Sequence, residues 1–409
     1  MKPNILKIAK RIFKELGYKL EPIEKLSAKD TTILVDVFKS GFKKRVLISY
    51  LLQPFTEGIK YHHTNYMECY TAAEVFNKLE YCVDIVDLFN DSIEIDYDRY
   101  EVVYGLGFSL EKAFYSANPE RILKILYSTG CNPFYSYKTS SLQVQRFFSL
   151  TGKLIPESSH VSPFFWTFQY TMSDFVIALG NKFVATTYKE VNPNINIESV
   201  SAFYFDTYDI KIETKKFEEA KKVFLWFGSS GLLHKGLDIL IEIFAERKDI
   251  ILNICGHTKE ETKFWNYYQP ILDKCSNIIE HGFVDLNSAH FKEIMEACAF
   301  CIFPTASEGG SPSLLNVMAN GGLIPLTTLA CGIDVDDLGY TFNNNNREGV
   351  SNMIDFVKQL SIEEIEEKSL HVKNTVRDYY TYDKYKKNIL EKIKTAISLF
   401  NKLSPNIIN

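Results

Sequence analysis

Short apolar runs alternate with longer amphipathic stretches along most of the chain. In the first half, this alternation predicts a helix at 64–79 and strands at 45–51, 82–88, 101–104, 122–127 and 175–179. Strands that alternate with helical stretches are typical of βαβ units and parallel sheets. We therefore predict an α/β fold whose first Rossmann-like domain covers 45–205.

The same alternation starts again after residue 222 and predicts a second Rossmann-like domain over 223–378. Its predicted elements are strands at 223–227, 250–254, 278–280 and 300–303, and helices at 237–246 and 288–297. The segment 206–222 is polar and charged with little apolar periodicity, which indicates a linker. Two such domains facing each other would hold a ligand in a cleft at the carboxyl ends of both sheets.

Both ends of the chain predict amphipathic helices. One long helix is predicted at 379–403, within a C-terminal segment over 379–409. A helical extension is predicted over 1–44, where one helix face carries Ile5, Ile8, Ile12 and Leu16 and the other faces are basic. This pattern suits a helix on a membrane surface, or a helix docked on its own domain with a solvated basic face. It lacks the continuous apolar region of a signal peptide.

Composition narrows the class of protein. The 409 residues are 46% hydrophobic and 24% charged, as in a soluble globular protein of two or three domains. The formal net charge of −5 and the mixing of charges argue against a nucleic-acid partner. The eight cysteines are scattered without the paired spacing of a zinc site. We therefore expect reduced thiols in a cytoplasmic protein and no metal.

The most informative stretch is GSSGLLHKG at 228–236, which follows a predicted strand and opens a predicted helix. Gly228 and Gly231 let the backbone approach a ligand, and Lys235 adds a positive charge to the amides at the helix start. Such a loop suits a phosphate or diphosphate. A tight strand-to-helix turn with a surface lysine explains the same residues.

A second stretch, PTASEGGSPS at 304–313, carries Glu308 in a loop of small residues and starts a helix near Pro312. The amides of Gly310, Ser311 and Ser313 would then point out of the helix start, toward a phosphate or a sugar hydroxyl. A carboxylate that only caps the helix is the alternative role for Glu308.

These two loops and the segments around them resemble the retaining GT-B glycosyltransferases, in particular the large family 4 that includes many bacterial polysaccharide and lipid-linked sugar transferases. The resemblance covers most of the second half of the chain. It depends on Gly228 with Lys235-Gly236, Ile254-Cys-Gly256, His281-Gly-Phe-Val284, the 304–313 loop, Met318-Ala-Asn-Gly321, Cys331-Gly332 and Val376-Arg-Asp-Tyr-Tyr380.

The resemblance implies a GT-B fold with a C-terminal helix that crosses back to the first domain. It implies transfer of a sugar from a nucleotide-sugar donor to a hydroxyl of a glycan or lipid-linked oligosaccharide, in cell-surface polysaccharide biosynthesis. The anomeric configuration would be retained, with no metal and no cofactor besides the donor substrate. The protein would be cytoplasmic, with contact with the inner face of the membrane left open.

The resemblance also implies a role for each matching residue. Lys235 would bind the donor diphosphate and Glu308 would contact the donor sugar, as the catalytic pair. Gly282 and Val284 lie where the family packs the nucleotide base. The implied donor-binding residues are Gly228, Ser229, Gly256, Gly282, Val284, Gly309, Gly310, Ser311, Pro312, Ser313 and Asn316.

The chain departs from the family pattern at two of these positions. Ser229 stands where the family usually has arginine, which removes a phosphate cation. Asn316 stands at the second glutamate of the Glu-x7-Glu motif, which removes a carboxylate that usually accepts from the ribose. An amide oxygen still accepts a hydrogen bond. Both departures leave open a catalytically weak or inactive GT-B scaffold or binding protein.

The first half resembles the family less sharply, as expected of the half that would serve the acceptor. The implied acceptor-side residues are Gly58, His63, Thr64, Asn65, Thr129, Gly130 and Asn132. N-capping and turn chemistry explain the same residues. His160 and His234 are isolated histidines, and we predict neither as a general base. A GT-B-like nucleotide-sugar epimerase would need ionisable groups on both faces of the sugar, and the sequence contains no convincing set.

Overall fold

The computed structural model describes residues 32–60, 63–161, 166–256, 259–342 and 344–403. The first domain is built on a six-stranded sheet in the order β2-β1-β3-β4-β5-β6, with every neighbouring pair parallel. Its strands are β1 (Lys44–Tyr50), β2 (Tyr81–Asp87), β3 (Val102–Gly105), β4 (Leu123–Ser128), β5 (Phe175–Leu179) and β6 (Ile197–Val200). The five predicted strands lie within one residue of the observed ones. Strand β6 was not predicted because its sequence IESV has no apolar run.

Helices connect these strands and cover the sheet. They are α1 (Gln53–Thr56), α2 (Asn65–Lys78), α3 (Phe108–Ala113), α4 (Pro133–Thr151), α5 (Thr167–Thr171) and α6 (Lys182–Lys189). Helix α4 begins at Pro133 because the Asn132 side chain accepts from the Phe134 N–H at 3.0 Å, and Pro133 has no N–H that would need an acceptor. It ends at Thr151, because the next residue, Gly152, has a φ of 66°, the left-handed conformation that glycine adopts easily.

The second domain has another six-stranded parallel sheet, in the order β12-β11-β10-β7-β8-β9. Its strands are β7 (Val223–Phe227), β8 (Ile251–Cys255), β9 (Ile278–Gly282), β10 (Phe300–Phe303), β11 (Ile324–Thr327) and β12 (Tyr340–Thr341). Its helices are α7 (Phe217–Ala220), α8 (Leu237–Glu246), α9 (Thr262–Leu272), α10 (Ala289–Ala297), α11 (Pro312–Gly321), α12 (Arg347–Gln359) and α13 (Ile362–Tyr379). The predicted α/β architecture of two Rossmann-like domains is therefore confirmed.

The segment 206–222, predicted as a polar linker, is packed rather than loose. Ile210, Ile212 and Phe217 are buried, and the Lys373 Nζ of α13 donates to the Ile210 carbonyl. The sequence pattern missed this packing because the three apolar residues are spaced irregularly among charged ones.

The C-terminal helix crosses back to the first domain, as predicted, but it does not begin where predicted. Helix α13 ends at Tyr379, and a new helix, α14 (Tyr382–Leu403), starts after a break at which the Thr381 hydroxyl accepts from the Lys384 N–H at 3.3 Å. Helix α14 contacts α2, β4 and β6. Ile389 and Ile393 are fully buried in this interface, so α14 is part of the core of the first domain.

Only the last part of the predicted N-terminal helical extension, from residue 32 onward, is described by the structure. Residues 32–43 form no helix, and Leu34 pairs instead with Ile85 at the free edge of β2. The amphipathic helix around Ile5, Ile8, Ile12 and Leu16 falls outside the described residues. No helix within the described ranges is long and apolar enough to cross a bilayer.

Candidate functional site

The two domains meet at the carboxyl ends of the strands of both sheets. The loop after β10 reaches the loop after β4: a Cβ atom on Gly309 would lie only 2.1 Å from the Thr129 carbonyl oxygen. The Cys131 thiol donates to the Glu308 carbonyl at 3.3 Å, and the Ser307 hydroxyl donates to the Ser136 hydroxyl at 3.0 Å. Glycine is therefore required at position 309 for this close approach.

The predicted catalytic pair comes together in this region. Lys235 Nζ lies 3.3 Å from Glu308 Oε1 and also donates to the Ser229 hydroxyl at 3.3 Å. Lys235 is 8% exposed and Glu308 is half-buried. Burial is the largest influence on Glu308 and would by itself raise its pKa. The charge and hydrogen bond of Lys235, together with the nearby His160 and His234, outweigh burial, so the net pKa of Glu308 is lowered. Glu308 is therefore ionised at neutral pH.

The start of α8 fixes the backbone of Lys235. Its N–H donates to the Gly231 carbonyl at 2.8 Å, and its own carbonyl accepts from the Trp226 indole at 3.3 Å. The side chain then reaches over the Phe303 ring, with Nζ 5.9 Å from the centroid. A strand, a helix start and the end of β10 thus hold one ammonium group at the domain boundary.

Three predicted glycines of the donor side are neighbours at the ends of β7, β8 and β9. The Gly256 N–H donates to the Gly282 carbonyl at 2.7 Å, and the Gly228 N–H donates to the Cys255 carbonyl at 3.0 Å. Ser229 is exposed beside them, and Val284 is buried. Within the second loop, Gly309, Gly310 and Ser311 are buried, whereas Pro312 and Ser313 are half-buried.

Glu261, just before α9, is a residue of this region that sequence reasoning missed. Its carboxylate accepts from the backbone N–H groups of Gly231 and Leu232, the latter at 3.1 Å. Glu261 is buried, and this burial raises its pKa. A Lys-Glu-Glu run before a helix normally indicates side chains that are exposed to solvent. Only the need of the buried Gly231 and Leu232 amides for an acceptor could have pointed to Glu261.

Asn316 has a different partner from the one the family pattern implies. Its side-chain oxygen accepts from the Phe205 N–H at 2.7 Å, and the neighbouring Asn320 accepts from Thr207 and Tyr208. Both side chains therefore hold the segment that joins the two domains. The Asn316 side-chain oxygen thus has a structural hydrogen-bond partner, the Phe205 N–H.

Two histidines, His160 and His234, lie next to each other near Glu308. The His234 and His160 rings are 5.3 Å apart, and His234 Nε2 lies 2.7 Å from the Ser307 carbonyl oxygen. Because a carbonyl only accepts, Nε2 carries the hydrogen and Nδ1 has none. Burial, reinforced by His160, lowers the pKa of His234 to about 4. Loss of hydration also lowers the pKa of His160, although this residue remains partly exposed to solvent.

The acceptor-side predictions divide into two groups. Thr129 and Gly130 line a cavity of about 310 Å³ that also contacts Glu308. Gly58, His63, Thr64 and Asn65 do not line it. Asn132 is buried and caps α4. A shallower groove of about 470 Å³ lies at the amino ends of β1 and β2, against α14, and none of the predicted site residues lines it.

Helix α4 docks the first domain onto the second beside this cavity. Arg146 Nη2 lies 2.6 Å from Asp238 Oδ2 in the first turn of α8. The Phe147 ring packs against Tyr267 and Tyr268 of α9, at 5.2 and 6.2 Å between centroids. Burial raises the pKa of Asp238 to about 6, although Arg146 opposes the shift. The two domains are thus held together by an ion pair whose carboxylate is buried and by an aromatic contact.

Comparison with known proteins adds a result at the level of the fold. The sequence matches no protein-family model and no curated protein. Among solved structures, sucrose-phosphate synthase from Thermosynechococcus elongatus has a TM-score of 0.62 at 11% identity, over 87% of this chain and 100% of that chain. Anabaena HepE in complex with UDP-glucose has a TM-score of 0.55 at 10% identity, over 86% and 99% of the two chains.

A glycosyltransferase from Rickettsia africae has a TM-score of 0.54 at 14% identity, over 89% of this chain and 100% of that chain. Sequence identities this low support a shared fold but do not establish a shared activity. The chain therefore has the two-domain GT-B fold of these glycosyltransferases, which confirms the predicted fold.

Proposed function

We propose that the protein is a retaining glycosyltransferase, similar to family 4, that moves a sugar from a nucleotide-sugar donor to a hydroxyl of a glycan or lipid-linked oligosaccharide. The observation that carries the proposal is the Lys235 ammonium, held beside Glu308 and Ser229 where the carboxyl ends of the two sheets meet. Structures of the same fold hold UDP and UDP-glucose. The proposal includes a role in cell-surface polysaccharide biosynthesis, which is supported only by the sequence motifs that resemble family 4.

The donor diphosphate would bind at Lys235. Its ammonium, the Ser229 hydroxyl and the start of α8 supply positive potential on one side of the cleft. Glu261 already occupies the Gly231 and Leu232 amides. Within the 228–236 loop, the phosphate contacts are therefore left to Lys235, Ser229 and the exposed Ser230. The two serines can donate hydrogen bonds but do not supply the charge of the arginine that this chain lacks.

Transfer needs no nucleophile from the protein. The bond between the anomeric carbon and the diphosphate oxygen breaks, and the diphosphate leaves with the electron pair while Lys235 stabilises its growing charge. The acceptor oxygen forms the new bond from the same face, which retains the configuration. Its proton passes to the departing diphosphate oxygen. Glu308, ionised beside Lys235, accepts hydrogen bonds from sugar hydroxyls and orients the ring.

A non-catalytic binding protein of the same fold is the second candidate. It is favoured by Asn316, whose amide is engaged with the Phe205 backbone, and by Ser229 in place of a cation. Such a protein would keep its role after loss of the Lys235 charge, whereas a transferase would not.

A thermal-shift screen against UDP, GDP, CMP and their sugar conjugates tests the proposal. A donor that binds the folded state raises the melting temperature by an amount that grows with its concentration relative to its dissociation constant. We expect a selective shift that Lys235→Ala abolishes and that Lys274→Ala, an exposed lysine of the same domain, leaves intact. No shift with any nucleotide, or an equal shift in Lys235→Ala, overturns the proposal and favours the binding protein.

The proposal also places the protein in the cytoplasm. All eight cysteines are free and buried, as in a protein of the reducing cytoplasm. Contact of the basic segment around Ile5–Leu16 with the inner membrane face is tested by co-sedimentation with anionic vesicles, with and without residues 1–17. Equal pelleting of the two forms rules out this contact.

A further inference from the structure

His234 is buried where three segments of the chain meet. Its backbone N–H donates to the Ser158 carbonyl of the first domain at 3.2 Å, and its own carbonyl accepts from the Ala306 N–H at 2.8 Å. Its Nε2 donates to the Ser307 carbonyl at 2.7 Å. Any residue other than proline could make the two backbone contacts, so only the contact with Ser307 depends on the histidine side chain.

The hydrogen bond to Ser307 and the ion pair of the proposed site join consecutive residues of the same two loops. His234 precedes Lys235 in the loop after β7. Ser307 precedes Glu308 in the loop after β10, and its hydroxyl donates to the Ser136 hydroxyl of α4 at 3.0 Å. With Ser307 held at both groups, the register of the two loops sets the distance of 3.3 Å between Lys235 Nζ and Glu308 Oε1.

The neighbouring Thr305 gives a second reason why this hydrogen bond matters for Glu308. The Thr305 Oγ1 lies 3.2 Å from the Ser307 carbonyl oxygen and 3.4 Å from Glu308 Oε1, and it has one hydrogen to donate. Thr305 and Ser307 are buried. Without His234, the Thr305 hydroxyl would be the only donor to this carbonyl among the described residues. His234 therefore leaves the Thr305 hydroxyl free to donate to Glu308.

The other ring nitrogen of His234 argues against a side chain that serves packing alone. Nδ1 is buried and has no hydrogen-bond partner within the described parts of the chain. Burial of an unpaired acceptor is unfavourable, and leucine would fill a similar volume without that cost. The hydrogen bond from Nε2 is the favourable interaction that leucine could not make.

We propose that His234 is a positioning residue, whose Nε2–H holds the Ser307 carbonyl and thereby fixes the Glu308 carboxylate beside Lys235. His234 is fully buried and does not touch the substrate. The inference rests on the proposed function for the role of Glu308 toward the donor sugar. The hold on the loop of Glu308 is a property of the protein without ligands.

Two substitutions of His234 separate the hydrogen bond from the filling of space. His234→Gln keeps an N–H that reaches the Ser307 carbonyl, whereas His234→Leu has none. In His234→Leu we expect turnover to fall roughly ten-fold, and the dissociation constant of the nucleoside diphosphate, bound through Lys235, to stay within about two-fold. His234→Gln should retain turnover within about three-fold of the wild type. His371→Leu, which replaces an exposed histidine of α13, is the control and should change neither quantity.

A double-mutant cycle shows whether the effect passes through Glu308. Added to Glu308→Gln, His234→Leu should lower turnover by less than about two-fold, because the carboxylate that His234 positions is already gone. A full ten-fold loss in that background, or equal turnover of His234→Leu and the wild type, overturns the inference.

Hydrogen exchange followed by mass spectrometry tests the hold on the loop in the full chain without ligands. Peptides that cover 304–313 should exchange faster in His234→Leu than in His234→Gln. His234→Asn, whose shorter amide does not reach the Ser307 carbonyl, replaces His234→Leu if the leucine variant does not fold. Equal exchange in the two variants overturns the inference even if the wild type binds no nucleotide. Absence of nucleotide binding, in contrast, overturns the proposed function alone.

Discussion

At the scale of single residues, the proposed chemistry depends on an ammonium and a carboxylate held 3.3 Å apart at the domain boundary. Lys235 would neutralise the leaving diphosphate, and Glu308 would orient the sugar. These two tasks can be separated experimentally because one concerns binding of the phosphates and the other concerns the reacting ring.

Glu308→Gln keeps the shape of the side chain and removes its charge. We expect the affinity for the nucleoside diphosphate to be unchanged or higher, because Lys235 no longer has a competing carboxylate. Turnover should fall roughly 10- to 100-fold, the effect of one lost charge-assisted hydrogen bond. Calorimetric titration and initial rates check both parts. Weaker diphosphate binding with unchanged turnover would contradict the assigned role.

His234 makes stability depend on pH. The pKa of this buried side chain is about 4, below the ordinary 6.5 of histidine. The unfolded chain therefore binds a proton between pH 6.5 and 4 that the folded chain excludes. The free energy of unfolding should be fully retained above pH 6.5 and fall below it, by about 3 kcal/mol at 1.36 kcal/mol per pKa unit.

Urea unfolding of the wild type and His234→Gln at several pH values between 7 and 4 measures this contribution. Glutamine keeps a donor for the Ser307 carbonyl and does not titrate. The variant should lose less stability on acidification. Asp238, whose raised pKa acts in the opposite sense, is present in both proteins and cancels in the difference. Identical pH dependence in the two proteins would refute the prediction.

At the scale of elements, α4 joins the first domain to α8 and α9 of the second. The Arg146–Asp238 pair and the Phe147 contacts hold these helices together next to the cavity that contacts Glu308. The position of α4 therefore sets both the cavity wall and the start of the helix that follows Lys235.

Arg146→Met removes the cation and leaves the Asp238 carboxylate buried without it. We expect the free energy of unfolding to fall by about 2–4 kcal/mol, near the lower end for broken buried pairs because Arg146 is partly exposed. The double variant Arg146→Met with Asp238→Asn should recover part of the loss. Lys138→Met, on the exposed face of α4, is the control. A loss no larger than that of the control would show that the pair contributes nothing.

At the scale of the whole molecule, α14 makes the last residues of the chain part of the first domain. The Tyr385 hydroxyl lies 3.0 Å from the Tyr127 hydroxyl of β4, and Ile389 is fully buried. The two domains are thus connected both through the packed segment around Ile210 and through this helix.

Ile389→Ala leaves a cavity under α14 and should lower the stability of the first domain by about 2–4 kcal/mol. Hydrogen exchange followed by mass spectrometry should show faster exchange in α2, β4 and β6. Exchange in β7 and β8 should change much less. Lys387→Ala, exposed on the same helix, is the control. A uniform increase over both domains would mean that α14 stabilises them as one unit.

Much of this architecture could be predicted because apolar runs of four to seven residues mark buried parallel strands. The pairing of Lys235 with Glu308 was an expectation from the resemblance to the GT-B family. The two side chains do lie together, since both residues follow strands whose carboxyl ends share one sheet edge. Glu261 escaped prediction because its partners are backbone amides, which leave no mark in the sequence. The break between α13 and α14 escaped because the helical pattern continues across Tyr380.

Most of the lining of the cavity that contacts Glu308 was not predicted, because its walls come from residues far apart in the chain. Phe89, His160 and Trp166 lie in loops whose positions depend on the tertiary fold. Asn316 was predicted to face a donor, and its engagement with the Phe205 backbone depends on how the segment between the domains packs. Local patterns contain no information on such pairings.

The most direct test is the release of nucleoside diphosphate from a panel of UDP-, GDP- and CMP-sugars mixed with neutral glycosides, followed for the wild type, Lys235→Ala and Lys274→Ala. The proposal predicts turnover of one donor by the wild type and by Lys274→Ala, and a loss of roughly 100-fold or more in Lys235→Ala. Turnover that survives in Lys235→Ala, or no turnover by the wild type with any donor that binds it, would contradict a transferase centred on Lys235.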